Sequence, residues 1–177
     1  MIFCMYRRFL RQKLGKPFFS GANPARQQRG VDTVQYISIE LLDPNIHCVN
    51  TVWWKQLMAL FMREGVPFEI RCWREETAAI KQALALGTLS EVQSTDYEVS
   101  VTGILTRSTI HQILRIPKPA DANQMTPFFT INLDGLVQCG HYGTELYLIH
   151  PTDAVLQKLR AIFAPIQSYF VFGTFDS

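Results

Sequence analysis

The sequence predicts an α+β fold: a mixed β-sheet with helices packed mainly on one face, preceded by a basic N-terminal helical arm. Two observations predict the fold class. Strand-like and helix-like segments alternate in the first half of the chain, and a hairpin signal, a helix and a closing strand fill the second half. A third observation, the uneven distribution of charge, divides the chain into the arm at 1–31 and a single domain at 32–177.

Composition excludes several classes of protein. The chain has 177 residues, of which 47% are hydrophobic and 18% charged, so it is large enough for one apolar core and too apolar for a disordered protein. Its apolar runs are far shorter than the ~20 residues of a membrane-spanning helix. The four cysteines form no CxxC pair, and we find no secretory signal, so we expect free thiols and a cytoplasmic location.

The N-terminal arm carries a large excess of positive charge. Seven of the 17 basic residues and none of the 15 acidic ones lie in 1–31, giving +7, and ten basic against fifteen acidic residues leave −5 on 32–177. Residues 1–19 resemble an amphipathic helix, which suits an anionic membrane surface or an organelle transit peptide. The alternative is a helix that docks its aromatic face on the acidic domain.

The elements of the first half follow from periodicity. Val34–Leu42 alternates apolar and polar residues and predicts a strand, and Thr51–Arg63 has helical spacing. Thr51 is the predicted N-cap of this helix, and Gly65 suits a left-handed residue after its end. Val66–Cys72 predicts the second strand.

A second helix and a third strand complete this half. Arg74–Leu86 has helical spacing, with Glu75 and Glu76 favourably placed in its first turn and Gly87 as a C-terminal cap. Tyr97–Val101 alternates again. Where strands on either side of a helix are neighbours in the sheet, we expect parallel pairs joined by right-handed crossovers.

The second half has its own signals. Ser108–Ile116 predicts a short helix, with Thr109 and Gln112 as a capping box. The turn Asp134-Gly135 predicts a hairpin because both positions accept positive φ. Four further elements follow from periodicity: strands over Pro127–Leu133, Leu136–Cys139 and Glu145–Ile149, then a helix over Pro151–Phe163 capped by Thr152 or Asp153. Tyr169–Phe175 is the predicted closing strand.

No known catalytic or metal motif is present. The sequence has no phosphate-binding glycine loop, no dinucleotide fingerprint and no HExxH, and we predict no cofactor and no metal. The nearest approach to a zinc site is Cys139-Gly140-His141 together with His47-Cys48, whose spacing does not require convergence. An alternative is a thiol nucleophile at Cys139 with His141 or His150 as its base, which predicts a hydrolase or transferase.

Acidic and aromatic residues form the candidate binding surface. Asp96 and Glu98, two residues apart on a predicted strand, project to one face, with Glu91 upstream. Trp53 and Trp54 are adjacent on a helix, so we expect one of them, Trp54, to be partly exposed. The predicted partner-binding residues are therefore Glu91, Asp96, Glu98 and Trp54, on a surface that favours a cationic partner.

The chain as a whole resembles the immunity proteins of bacterial contact-dependent growth inhibition and related polymorphic-toxin systems. The resemblance rests on size, the missing active-site motifs, the acidic domain at 32–177 and strands such as VQYISIELL and FFTINL. It implies direct capture of a cognate toxin domain, frequently a basic nuclease, in the bacterial cytoplasm. In such a complex acidic side chains mimic phosphates and aromatic residues anchor the contact.

The leading hypothesis is thus a non-enzymatic binding protein that neutralises a toxin. The alternatives are the small cysteine-dependent enzyme centred on Cys139 and His141, and a peripheral membrane or organellar protein directed by residues 1–19. Direct binding of nucleic acid is not expected because the domain is acidic. No integral membrane segment is expected, and a homodimer is compatible with each hypothesis.

Overall fold

The computed structural model describes residues 35–41, 52–121 and 124–176, with only the backbone for 35–41 and for much of 168–176. Strands β1 to β8 span Gln35–Leu41, Pro67–Trp73, Thr88–Leu89, Glu98–Ile104, Thr130–Leu133, Val137–Gly140, Glu145–Ile149 and Phe170–Asp176. Helices α1 to α4 span Val52–Phe61, Thr77–Leu84, Arg107–Arg115 and Asp153–Phe163. Short 3-10 turns occupy His141–Gly143 and Ala164–Tyr169. The arm at 1–31, His47, Cys48 and the Thr51 cap lie outside the described residues.

The α+β class is confirmed, but the expectation of a mixed sheet is wrong. The eight described strands form one sheet in the order β3-β4-β2-β5-β6-β7-β1-β8, and each of their pairings is antiparallel. The helices do connect strands that run in the same direction. However, the two strands are not neighbours in the sheet: β4 lies between β2 and β3, β2 between β4 and β5, and β1 between β7 and β8, and three strands lie between β1 and β2.

The register of the strands places apolar side chains on one face of the sheet. Ile70 of β2 lies opposite Val101 and Ile131 on its two neighbouring strands, and Ile131 in turn faces Cys139. These side chains are buried in one cluster with residues of all four helices, among them Leu57, Ala83, Ile113 and Phe163. The helices therefore pack on this face, as predicted, and alternation along each strand directs the intervening residues to the other face.

Most predicted elements are confirmed within a few residues at each end. The hairpin turn is also confirmed, since Asp134 and Gly135 have φ of 51° and 66°. Thr152 caps α4 by accepting a hydrogen bond from the backbone N–H of Val155. The two-residue strand β3 was not predicted, because two residues are too few to show a period.

Three local predictions are wrong. The cap of α3 is Thr106 rather than Thr109, and its hydroxyl accepts from the N–H of Thr109. Gly87 has no positive φ; glycine is needed there because a Cβ would lie 2.5 Å from the carbonyl oxygen of Thr102. Trp53 and Trp54 are both buried, since α1 packs against the sheet and also against α4, where the ring of Trp53 lies 5.7 Å from that of Phe163.

Candidate functional site

The loop that joins β3 to β4, residues 90–97, exposes a mixed apolar and acidic surface. Val92 is 97% exposed and Tyr97 is 74% exposed, the two highest values among the large hydrophobic side chains that the structure describes. Glu91 and Asp96 are exposed in the same loop. Two of the predicted site residues therefore lie on one short segment, together with two apolar side chains that the sequence analysis did not select.

Hydrogen bonds within the loop hold it in one conformation. The backbone N–H of Ser94 donates to the carbonyl of Ser90 at 3.0 Å, and the Ser94 hydroxyl accepts from the N–H of Ser100 at 3.0 Å. The Thr95 hydroxyl accepts from the N–H of Glu98 at 3.0 Å. Its exposed side chains are thus presented from a backbone that is already ordered, which lowers the entropy lost on binding.

Arg74, the residue after β2, holds this loop in place by hydrogen bonds. Its guanidinium donates two hydrogen bonds to the carbonyl of Thr95, at 3.0 and 2.8 Å, and its backbone N–H donates to the carbonyl of Tyr97 at 3.0 Å. The sequence predicts Arg74 only as the first residue of a helix and gives no sign of its contacts with the loop. Its contacts depend on the turn that brings residue 95 beside residue 74, and no local pattern reveals that approach.

Glu98, the third predicted acid, has a different environment. It begins β4, and its carboxylate accepts a hydrogen bond from Arg71 of β2 at 2.9 Å. Both side chains are largely buried, with 15% and 11% exposed. Glu98 therefore contributes little free negative charge to the surface formed by Glu91 and Asp96.

Arg71 and Glu98 belong to a polar network on the face of the sheet opposite the helices. Glu69 accepts hydrogen bonds from the Arg71 guanidinium at 2.8 Å, from the Ser100 hydroxyl at 2.7 Å and from the Asn132 amide at 2.8 Å. The network spans three adjacent strands, β4, β2 and β5. Its carboxylate and guanidinium groups thus satisfy one another, as buried charges must.

The electrostatics of Arg71 reflect this balance. Burial disfavours the charged guanidinium, but the charges and hydrogen bonds of Glu69 and Glu98 outweigh that effect, so the pKa of Arg71 lies above its usual value. The sequence carried a signal for this pair. Glu69 and Arg71 alternate with Phe68, Ile70 and Cys72, which places opposite charges side by side on one face of a strand.

Trp54, the fourth predicted site residue, lies in the core. It is 1% exposed, and its indole N–H donates to the Sγ of Cys139 at 3.1 Å. The structure therefore does not bring Trp54 together with the three acids, and the indole is not available for a surface contact. The candidate surface is reduced to the loop at 90–97.

Cys139 lacks the environment of a nucleophile. Its side chain is 1% exposed, and burial raises its pKa to about 12, an effect only partly offset by the Trp54 indole. Reactive cysteines instead have lowered pKa values and some exposure. The predicted base His141 has a carboxylate as its neighbour, since its Nε2 lies 3.9 Å from a carboxylate oxygen of Glu145. The other predicted base, His150, is exposed directly after the end of β7.

The turn after Cys139 has an unusual backbone. His141, Tyr142 and Gly143 have consecutive φ values of 45°, 57° and 90°. Tyr142 is fixed there because its hydroxyl donates to Glu76 at 2.6 Å, and burial followed by that carboxylate raises the pKa of Tyr142. Tyr142 thereby links the turn after β6 to Glu76 at the start of α2.

The part of the chain that the structure describes contains neither a cluster of metal ligands nor a helix that could span a membrane. Among residues 52–121 and 124–176, no group of three or more histidine, cysteine or acidic residues is placed to hold a metal ion. No described helix combines the length and the apolar character that crossing a membrane requires. The second half of the predicted zinc site, His47-Cys48, lies outside the described residues.

Comparisons with known proteins give no relative. The chain matches no protein-family model, no curated protein and no solved structure.

Proposed function

We propose that this chain is a non-enzymatic binding protein that captures a protein partner through the loop at 90–97. The observation that carries the proposal is the exposure of Val92 and Tyr97 beside Glu91 and Asp96 on an ordered loop. Apolar side chains supply most of the free energy of a protein contact once they are desolvated. The carboxylates select a cationic partner and accelerate its association.

The partner class follows from the same chemistry. A basic protein domain with an apolar depression beside its cationic groups would accept the tyrosine ring and the two acids together. Toxin domains that act on nucleic acid have such cationic clefts, since they must attract phosphates. In the finer form of the proposal, this chain is an immunity protein that neutralises a cognate toxin in the bacterial cytoplasm, as the resemblance of the whole chain implies.

The environment of Cys139 does not support the alternative of a cysteine-dependent enzyme. A buried thiol whose pKa is raised to about 12 stays protonated at neutral pH, and only the thiolate is the effective nucleophile. A peripheral membrane role directed by residues 1–19 concerns residues outside those described and has no support from the described surface.

Growth rescue tests the proposal in cells. The toxin domain encoded beside this gene would be induced in a sensitive bacterium, with the full chain or its variants expressed from a second plasmid. We expect rescue by the wild type and loss of rescue by the variant Glu91→Lys/Asp96→Lys/Tyr97→Ala. A matched control, Glu64→Lys/Asp153→Lys, reverses two exposed acids outside the loop and should still rescue.

Binding of the purified proteins separates the two parts of the proposal. By calorimetry at low salt, the loop variant should bind the toxin domain at least about tenfold more weakly than the wild type. Equal affinity of both would refute the loop as the surface while leaving capture intact. No binding by the wild type would refute toxin capture itself.

A further inference from the structure

Helix α3 presents a row of basic side chains that is separate from the loop at 90–97. Arg107, His111 and Arg115 are spaced by four residues, which places them on one side of the helix, and all three are exposed. The row extends about 12 Å at 1.5 Å per residue. The sequence contains no acidic residue between Glu98 and Asp121, so this row interrupts an otherwise acidic domain.

Helix stability does not explain the whole row. Arg115 lies in the last turn of α3, where the helix dipole favours a cation, but Arg107 lies in the first turn, where the dipole opposes one. Within residues 52–121 and 124–176, the recorded ion pairs involve other residues. A charge held where it costs helix stability points to a use beyond the helix itself.

A shallow groove adjoins this row, between the end of α2 and the second half of α3. Its volume is about 420 Å³. Apolar parts of its lining come from Leu86, Ile116 and Pro117. Arg115 supplies positive charge, and His111 supplies an imidazole that can form hydrogen bonds. The groove thus combines an apolar surface with positive charge, which is the complement of the loop at 90–97.

We propose that the groove receives the β3–β4 loop of a second copy of this chain. Tyr97 and Val92 would cover the apolar lining, and Glu91 and Asp96 would lie against His111 and Arg115. Both halves of the contact are exposed on the same chain; apolar side chains lie on each, and their charges are opposite in sign. A second copy therefore fits the groove without any feature being assumed for an outside partner.

We place the two copies about a two-fold axis, so that the loop of each copy lies in the groove of the other and the two contacts are equal. Such an arrangement closes at the dimer and leaves neither surface open to further copies. The inference stands independently of the proposed function, since it requires no toxin. It has one consequence for that function: the dimer covers the loop, so self-association and partner capture compete.

Complementary charge reversal gives the sharpest test. The groove variant is His111→Glu/Arg115→Glu and the loop variant is Glu91→Lys/Asp96→Lys. By sedimentation equilibrium on the full chain at low salt, we expect a wild-type dimer and at least an about tenfold larger dissociation constant for each variant alone. An equimolar mixture of the two should regain the dimer, because both contacts then pair opposite charges again.

The controls and the overturning results are distinct. The variant Glu64→Lys/Lys158→Glu changes exposed charges outside both surfaces and should dimerise as the wild type does. Far-ultraviolet circular dichroism establishes that each variant is folded. A wild type that stays monomeric at all concentrations, or variants that do not recover on mixing, would overturn the inference. The groove variant retains its loop, so it should bind the toxin domain at least as tightly as the wild type.

Discussion

The two faces of the sheet bury their side chains by different physical means. On the helix-covered face, Ile70 and Ile131 lie opposite each other in a cluster of apolar residues. Glu69 and Arg71, the two neighbours of Ile70 on β2, are also buried, but in a network of hydrogen bonds and opposite charges. Burial alone therefore does not identify the hydrophobic core. Successive residues of one strand point to opposite faces of the sheet, so one can be buried among apolar side chains and the next in a network of charges.

The two faces should therefore respond differently to substitution. Apolar contacts add roughly in proportion to the surface removed from water. A charge network fails when one partner is lost, since the remaining charge stays buried without compensation. The loop at 90–97 allows a third comparison, because Glu91, Val92, Asp96 and Tyr97 are exposed and contribute little to either interior.

The largest effect is expected for Arg71→Ala. This change leaves the carboxylates of Glu69 and Glu98 without their cation, and should lower the free energy of unfolding by ~3–5 kcal/mol. Urea denaturation at pH 7 measures it. The double variant Glu69→Leu/Arg71→Met should cost less than Arg71→Ala, because it leaves only the partly exposed Glu98 without its cation, whereas Arg71→Ala leaves both carboxylates. If the double variant is the less stable of the two, the network is not a compensated charge pair.

A loss of stability of comparable size is expected on the apolar face, where a second substitution should increase the loss. Ile131→Ala removes a fully buried side chain and should cost ~2–5 kcal/mol by transfer and cavity terms. The double variant Ile70→Ala/Ile131→Ala should be less stable than either single variant, the opposite of the order on the polar face. Equal stability of the single and double variants in urea would contradict this contrast.

Alkaline pH should weaken the apolar face through its thiols. Burial, and then the charge of Glu76, raises the pKa of Cys72 from 9.0 to about 12, and burial raises that of Cys139 to about 12 as well. Below pH 9 both thiols are protonated whether the chain is folded or not. Above it only the unfolded chain loses these protons, so the free energy of unfolding falls by up to ~1.4 kcal/mol per pH unit for each thiol.

The variant Cys139→Ala isolates this effect, because other groups also titrate at high pH. Its unfolding free energy, followed between about pH 9 and 11, should fall less steeply than that of the wild type by up to ~1.4 kcal/mol per pH unit. Identical slopes would show that the thiol is accessible in the folded protein. Such a result would also revive the enzyme hypothesis.

The smallest effect on stability is expected for Glu91→Lys/Asp96→Lys. Both side chains are exposed, so the free energy of unfolding should change by no more than about 0.5 kcal/mol. The Arg74→Ala variant offers a contrast, since it releases the carbonyl of Thr95 and loosens the loop. Amide hydrogen exchange at residues 94–98 should accelerate in Arg74→Ala and not in the charge variant. Equal acceleration in both variants would show that the hydrogen bonds of Arg74 to Thr95 do not hold the loop in place.

The sequence by itself determined the element types and the α+β class. Periodicity located α1, β7 and α4 because each of them buries one side in the same apolar core, and that requirement fixes the local spacing of apolar residues. Positive φ at Asp134-Gly135 was likewise predictable, since few residues other than glycine, asparagine and aspartate accept it. Glu91 and Asp96 were recognised as exposed acids from charge alone.

Only the tertiary structure decided which strands are neighbours, and with them the candidate site. Local spacing cannot show that β4 inserts between β2 and β3, so the expected parallel pairs were wrong and the pairing of Glu98 with Arg71 was not foreseen. The burial of Trp54 depends on α1 packing against both the sheet and α4. Arg74, Tyr97 and the groove beside Arg115 gain their importance from contacts between residues distant in sequence, which no pattern within one segment can encode.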